Sequence, residues 1–144
     1  MTAVAVAEIL GGKKVLGRKV TRSSQLAALV REGIPVQALL VLAERAGLRQ
    51  ADVSSRFGIP QRTLTRRLAQ HSRLTAAESD RTVRLARVYA TALDTLGDGE
   101  KAAAWLKTPN RALGGERPLD QLDTDPGVRE VEDVLGRIAT GVYS

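Results

Sequence analysis

The stretch "RQADVSSRFGIPQRTLTRRL", residues 49–68, decides the fold. It predicts two short helices joined at Gly58, because a glycine without a Cβ adopts the left-handed backbone of a tight turn at little cost. Apolar side chains recur so that one side of both helices would face inward. These inward-facing residues would be Val53, Phe57, Ile59, Leu64 and Leu68. The stretch therefore predicts a helix-turn-helix.

The second helix of this pair would leave a polar and basic face available to DNA. Arg can donate two hydrogen bonds to guanine and Gln can pair with adenine, while Thr and Arg also bind phosphates. Residues 61–73 contain four Arg and no acidic residue. The candidate DNA contacts are Gln61, Arg62, Thr63, Thr65, Arg66 and Arg67. The alternative is any two short helices joined by glycine, with a solvated basic face.

Charge divides the chain into two unlike halves. Residues 1–73 hold 13 Lys and Arg against four Asp and Glu, a net charge of +9, whereas residues 74–144 hold 9 against 12, a net charge of −3. A basic half suits nucleic acid, and an acidic half indicates a different partner. A second basic cluster, which is either an arm along the DNA backbone or a soluble N-terminus, comprises Lys13, Lys14, Arg18, Lys19 and Arg22.

Helix start and stop signals predict two helices before the central pair. Ser23 or Ser24 would cap a helix that ends at Gly33. Pro35 would open the next, which ends near residue 47.

The same signals continue to the end of the chain. Thr75 and Glu78 form a capping box, which predicts a long helix over residues 76–96. Shorter helices are expected at residues 100–108 and after Pro118 and Pro126. No stretch alternates as a strand would, so we expect an all-α fold. The predicted division is a basic N-terminal arm (1–22), a helix-turn-helix region (23–73) and a second helical domain (74–144).

Residues 82–144 resemble the Xre/MbcA/ParS antitoxin family in its toxin-binding domain. The resemblance lies in the ordered series "RLARV", Gly-Asp, Ala-x-x-Trp-Leu, Thr-Pro-Asn, Ala-Leu-Gly-Gly, Pro-Leu-Asp, Asp-Pro-Gly and a last helix that ends in Gly-Val-Tyr. The preceding helix-turn-helix lies where this family has one. The resemblance implies an antitoxin that binds a RES-domain, NAD-consuming toxin and represses its own operon. It also implies that the C-terminal end lies at the toxin's active site.

The last predicted helix is the candidate toxin-binding element. Gly141 can end the helix, and Tyr143 offers a rigid aromatic side chain for binding. The Ser144 carboxylate could occupy the part of the toxin's NAD pocket that binds the pyrophosphate. The alternative is a helix docked on its own domain, and the stretch before it, residues 104–122, would orient it. The candidate toxin contacts are Val134, Arg137, Ile138, Gly141, Val142, Tyr143 and Ser144.

Several function classes are not expected. The chain has no Cys and one His, His71, so Cys/His metal clusters are excluded and no cofactor is expected. No nucleophile has an evident base, so we expect no enzymatic activity. The N-terminal apolar stretch is too short to span a membrane and lacks a basic start, which favours the cytoplasm.

One short recognition helix gives limited affinity, so a homodimer is expected, with "VQALLVLA" (residues 36–43) as either its interface or core. Two other functions stay open. One is a DNA-binding regulator with a non-toxin partner, and the other is a ParS-like adaptor.

Overall fold

The computed structural model describes residues 2–141, and this part of the chain is helical without strands, as predicted. An isolated β-bridge joins Pro35 and Arg73. Two short 3-10 helices, Arg111–Leu113 and Pro118–Gln121, precede the last α-helix. The α-helices are α1 Ala3–Ile9, α2 Gly12–Leu16, α3 Ser23–Glu32, α4 Val36–Arg45, α5 Gln50–Phe57, α6 Gln61–Ala69, α7 Ala76–Leu96, α8 Gly99–Lys107 and α9 Asp125–Ala139.

The long helix α7 is the centre of the molecule. It packs against α1, α3 and α4 from the N-terminal half and against α8 and α9 from the C-terminal half. Its start is the predicted capping box: the Glu78 N–H donates to Thr75 Oγ1 at 3.1 Å, and the Thr75 N–H donates to Glu78 Oε1 at 2.9 Å. One hydrophobic core therefore joins both halves, with α7 running through it.

A buried hydroxyl fixes α7 to the end of α3. Ser79 is completely buried and its Oγ accepts the Ile34 N–H at 2.9 Å. A buried N–H without a partner would be costly, so this contact holds the chain between α3 and α4 against α7.

The first 22 residues differ from the predicted basic arm. Within the described residues they fold into α1 and α2, and Val6, Leu10 and Leu16 are buried in the common core. Spacing by three and four residues puts Val6, Ile9 and Leu10 on one face of α1, and that face packs against α7. The segment is thus part of the folded core.

The predicted N-cap of α3 is wrong. The helix begins at Ser23, and the capping position is Arg22. The Gln25 side-chain oxygen accepts the Arg22 N–H at 3.1 Å and the Thr21 N–H at 2.6 Å. Gln25 therefore satisfies the N–H groups of the two residues that precede α3, and neither Ser23 nor Ser24 is the N-cap.

The loop over residues 108–122 is tightly folded and leads directly to α9. The Asn110 N–H donates to Glu116 O at 3.0 Å, and the Gly115 N–H donates to Asn110 O at 2.9 Å. Both 3-10 helices contact α9, and the second also contacts α8. The partly buried Trp105 packs against the core before this loop. The loop therefore fixes where α9 begins, as its sequence indicates.

Across residues 2–141, none of the helices is long and apolar enough to cross a membrane.

Candidate functional site

Helices α5 and α6 form the predicted helix-turn-helix. Gly58 between them has a φ of 65° in the left-handed region. Its neighbour Ile59 is 1% exposed and packs into the angle between the helices. The Ser54 hydroxyl donates to Ile59 O, and the Ser54 carbonyl accepts the Ile59 N–H at 3.2 Å. These contacts fix the angle at which α6 leaves α5.

Helix α6 presents most of the predicted DNA contacts to solvent. Leu64 is buried at 1% exposure and Leu68 is half-buried, so this side of α6 faces the core. Thr63 is half-buried as well. The exposed candidates are Gln61, Arg62, Thr65 and Arg66. The helix therefore has an exposed face with two Arg, one Gln and one Thr.

Arg67 is a correction to the predicted set of DNA contacts. Its Nη1 lies 2.8 Å from Glu78 Oε1, and the two side chains are 22% and 14% exposed. Burial raises the pKa of Glu78, but the Thr75 N–H and the Arg67 guanidinium outweigh it and hold that pKa below its usual value. Arg67 is four residues C-terminal to Thr63 on the inner edge of α6, so it reaches α7 instead of solvent. It fastens the recognition helix to α7.

His71 lies just after the C-terminal end of the recognition helix. It has a φ of 53°, and its Nδ1 lies 2.9 Å from Gln37 Nε2 on α4.

Helix α9 buries the apolar face that the sequence shows, and this changes the predicted toxin contacts. Val134 is 0% exposed, so it contacts its own core and is removed from the set. Ile138 is half-buried against the same core, whereas Arg137 and Gly141 are exposed. The predicted contacts of Val142, Tyr143 and Ser144 lie outside the described residues.

The exposed face of α9 carries charges of both signs, with Asp125, Glu130 and Asp133 against Arg129 and Arg137. Glu132 is half-buried and pairs with Arg87 of α7, with two distances of 3.2 Å between guanidinium nitrogen and carboxylate oxygen.

A network of two Arg and one Asp joins the helix-turn-helix to the loop before α9. Arg56 on α5 donates from Nη1 to Leu119 O at 3.1 Å and from Nη2 to Asp120 Oδ1 at 2.6 Å. Arg117 donates to both oxygens of Asp120, at 2.8 and 2.9 Å. The hydrogen bonds from Arg117 and then from Arg56 lower the pKa of Asp120 to about 2, against the opposing effect of burial. The sequence does not reveal this network because Arg56 and Asp120 are 64 residues apart.

A cleft of about 570 Å³ lies beside this network. Three Asp and three Arg line it, so its charges balance and it favours neither anions nor cations. These residues are Asp52, Arg56, Arg81, Arg117, Asp120 and Asp123. Among the described residues, no group of three or more His, Asp and Glu is placed to hold a metal ion.

Two family models match the chain, one on each side of the middle of α7. An Antitoxin Xre-like helix-turn-helix domain matches residues 25–87. An Antitoxin Xre/MbcA/ParS C-terminal toxin-binding domain matches residues 91–141. The chain thus has the class of architecture found in antitoxins that carry a helix-turn-helix.

Relatives extend this likeness over most of the chain. An Antitoxin Xre of Yersinia enterocolitica is 35% identical over 90% of this chain and 88% of its own length. An Antitoxin Xre of Photorhabdus laumondii is 34% identical over 91% and 89%. A Prs ADP-ribosylating antitoxin of Sphingobium sp. is 23% identical over 81% and 79%. The chain belongs to the Xre antitoxin family of toxin–antitoxin systems.

Proposed function

We propose that this antitoxin binds and inhibits a RES-domain, NAD-consuming toxin and represses its own operon through its helix-turn-helix. The observation that carries the proposal is the joining of an exposed basic α6 to a matched toxin-binding domain through one helix, α7. Both proposed partners, operator DNA and toxin, follow from these two parts.

The DNA-binding part of the proposal is supported by α6. Arg62 and Arg66 are exposed and four residues apart, so they project from the same side of the helix. Gln61 and Thr65 flank them and add a donor and acceptor set suited to base edges and phosphates. Arg67 stays outside the proposed DNA contacts because it pairs with Glu78.

The toxin-binding part is supported by α9 and the loop that fixes it. Arg137, Ile138 and Gly141 lie at its C-terminal end, and Val142–Ser144 follow them in sequence. Its exposed charges of both signs would pair with complementary charges on the toxin. Val134 contributes by holding α9 in place.

NAD consumption by the toxin is the finer part of the proposal. It rests on the family resemblance and on the name of the Sphingobium relative, which refers to ADP-ribosylation. ADP-ribose is donated by NAD, so that name is consistent with a toxin–antitoxin system built around NAD chemistry. The antitoxin itself would act by binding, without catalysis.

Co-expression with the neighbouring gene product tests the proposal. The neighbour alone should deplete cellular NAD and stop growth, and this chain should restore both. A harmless neighbour, or one that this chain does not bind, would leave a DNA-binding protein with another partner, such as a regulator or a ParS-like adaptor.

Variants of α9 locate the toxin contact. Deletion of residues 142–144 and Arg137→Ala should each weaken inhibition of the toxin. Arg129→Ala is the matched control, because Arg129 is an exposed Arg near the other end of the same helix and its ion pair within residues 2–141 is with Asp125 of that helix. Unchanged inhibition in the deletion variant would remove the tail from the interface.

A homodimer would let two copies of α6 read paired half-sites. The run over residues 36–43 is largely core, since Val36, Ala38, Leu39 and Leu42 are 0% exposed. The dimer interface would therefore lie elsewhere, and light scattering of the purified chain measures whether the dimer forms.

A further inference from the structure

Cations are concentrated in the segment that precedes α3. No acidic residue occurs between Glu8 and Glu32. Four exposed cations here form no ion pair within residues 2–141. We name Lys13, Lys14, Lys19 and Arg22 the N-terminal basic surface.

This surface is held firmly by the fold. Leu16 is 2% exposed and Val20 is 6% exposed, so the backbone on both sides of the turn after α2 is anchored in the core. Arg18 in that turn donates to both carboxylate oxygens of Glu32 on α3, at 2.9 and 3.1 Å. Four cations are therefore presented by a folded element, which lowers the entropy cost of binding a ligand.

The end of α3 connects the turn after α2 with the segment that follows the recognition helix. Arg73, just after α6, donates to Gly33 O at 2.8 Å, and the Val36 N–H donates to Ser72 O at 3.0 Å. The hydrogen bond and charge of Arg18 lower the pKa of Glu32, and the charge of Arg73 adds to this effect. Glu32, the last residue of α3, thus contacts the turn after α2, and the adjacent Gly33 contacts the segment that follows α6.

We infer that the N-terminal basic surface binds backbone phosphates of duplex DNA next to the site contacted by α6. Recognition helices place residues on base edges, and in homeodomains, a helix-turn-helix variant, the C-terminal end of that helix contacts the DNA backbone. Lys ammonium groups bind phosphates as point charges and need no particular base sequence. The matched helix-turn-helix region begins at residue 25, so these contacts extend the DNA footprint beyond it.

This inference rests on the proposed DNA binding, and salt dependence tests it separately. The full chain and a Lys13→Gln, Lys14→Gln, Lys19→Gln, Arg22→Gln variant are titrated with operator duplex and with random duplex at several salt concentrations. Each phosphate that the variant no longer neutralises should reduce the slope of log affinity against log salt by about 0.9. We expect a total reduction of about two or more for both duplexes, with an unchanged ratio between operator and random affinity.

The matched control removes the same charge from the C-terminal half: Arg81→Gln, Lys101→Gln, Arg111→Gln, Arg129→Gln. These four cations are exposed and lie on or near α7, α8 and α9. The control should keep the slope of the unsubstituted chain. Thermal melting verifies that each variant is folded, and the double variants Lys13→Gln/Lys14→Gln and Lys19→Gln/Arg22→Gln give smaller changes of the same kind.

An unchanged slope in the folded quadruple variant would overturn the inference while leaving base recognition by α6 intact. An equal reduction in the control would also overturn it, because the effect would then come from net charge. Absence of DNA binding by the unsubstituted chain would overturn both this inference and the proposed repression.

Discussion

Arg67 on the recognition helix and Glu78 in the first turn of α7 are joined by an ion pair of 2.8 Å between Nη1 and Oε1. The same carboxylate oxygen accepts the Thr75 N–H that caps α7. One carboxylate therefore starts the central helix and also positions the helix proposed to contact DNA.

Arg67→Gln should lower stability more than it lowers DNA affinity. Removing one charge-assisted hydrogen bond between largely buried side chains costs about 1–2 kcal/mol of unfolding free energy. Arg66→Gln, at an exposed neighbouring position, should leave the melting temperature nearly unchanged and weaken operator binding by about tenfold or more. Melting curves and DNA titrations of the two variants test this. The assignment fails when Arg67→Gln melts like the parent and weakens DNA binding as much as Arg66→Gln does.

Asp120 should make the protein acid-sensitive. Its pKa in the folded chain is about 2, below the ordinary value of 3.8, so the folded state binds fewer protons between these two values. The stability that Asp120 contributes is complete above about pH 4 and is lost as the pH falls toward 2. Denaturant titrations at several pH values measure the free energy of unfolding. Asp120→Asn should reduce its loss between about pH 4 and about pH 2. Asp123 is exposed and lines the same cleft, so Asp123→Asn is the control. It should leave the change of unfolding free energy with pH as it is in the unsubstituted chain.

Two glycines on α9 should respond oppositely to alanine. A Cβ at Gly127 would lie 1.9 Å from the Gln121 carbonyl oxygen, so Gly127→Ala must push α9 away from the preceding 3-10 helix. A Cβ at Gly136 meets nothing within 4 Å, and alanine is there about 0.5–1 kcal/mol better than glycine in a helix. We expect Gly127→Ala to destabilise the protein by at least about 2 kcal/mol and Gly136→Ala to stabilise it. Denaturant unfolding measures the change in unfolding free energy for each variant. Equal changes in the two variants would contradict the packing described for α9.

Gly58 should tolerate Asn better than Ala. Its φ of 65° strains residues with a Cβ, but the space around it is open. Gly58→Ala should cost about 1–2 kcal/mol of stability, whereas Asn reaches this conformation more readily and should cost less. The measurement is the melting temperature of each variant. An Asn variant as unstable as the Ala variant would show that steric contact, and not backbone angle, requires glycine here.

Local signals in the sequence predicted most helices correctly. The capping residues Thr75 and Glu78, and the stops at Gly33 and Gly58, act within a few residues, so they can be identified without a structure. Helices α1 and α2 were missed because each is short and the Gly11–Gly12 pair interrupts their apolar pattern.

Contacts between distant parts of the chain explain what the sequence could not predict. In the sequence, Arg66 and Arg67 have equal standing as candidate DNA contacts. The ion pair of Arg67 with Glu78 in the folded chain distinguishes them. Arg56 meets Asp120 across 64 residues, and neither residue type predicts the other. Val134 belongs to an apolar face visible in the sequence, and its complete burial shows that this face is used by the chain itself.

Helix α7 crosses from the residues matched as a helix-turn-helix to those matched as a toxin-binding domain. The number of residues in α7 therefore fixes the orientation of the two halves about the helix axis. Each inserted residue would turn one half by about 100° about that axis and shift it by about 1.5 Å. Ala86, Val88 and Ala92 are 0% exposed around this crossing, so such a turn would also pull them out of the core. A chimera that exchanges one half for that of a relative must preserve the residue count of this helix, and the two halves are expected to be inherited as one unit.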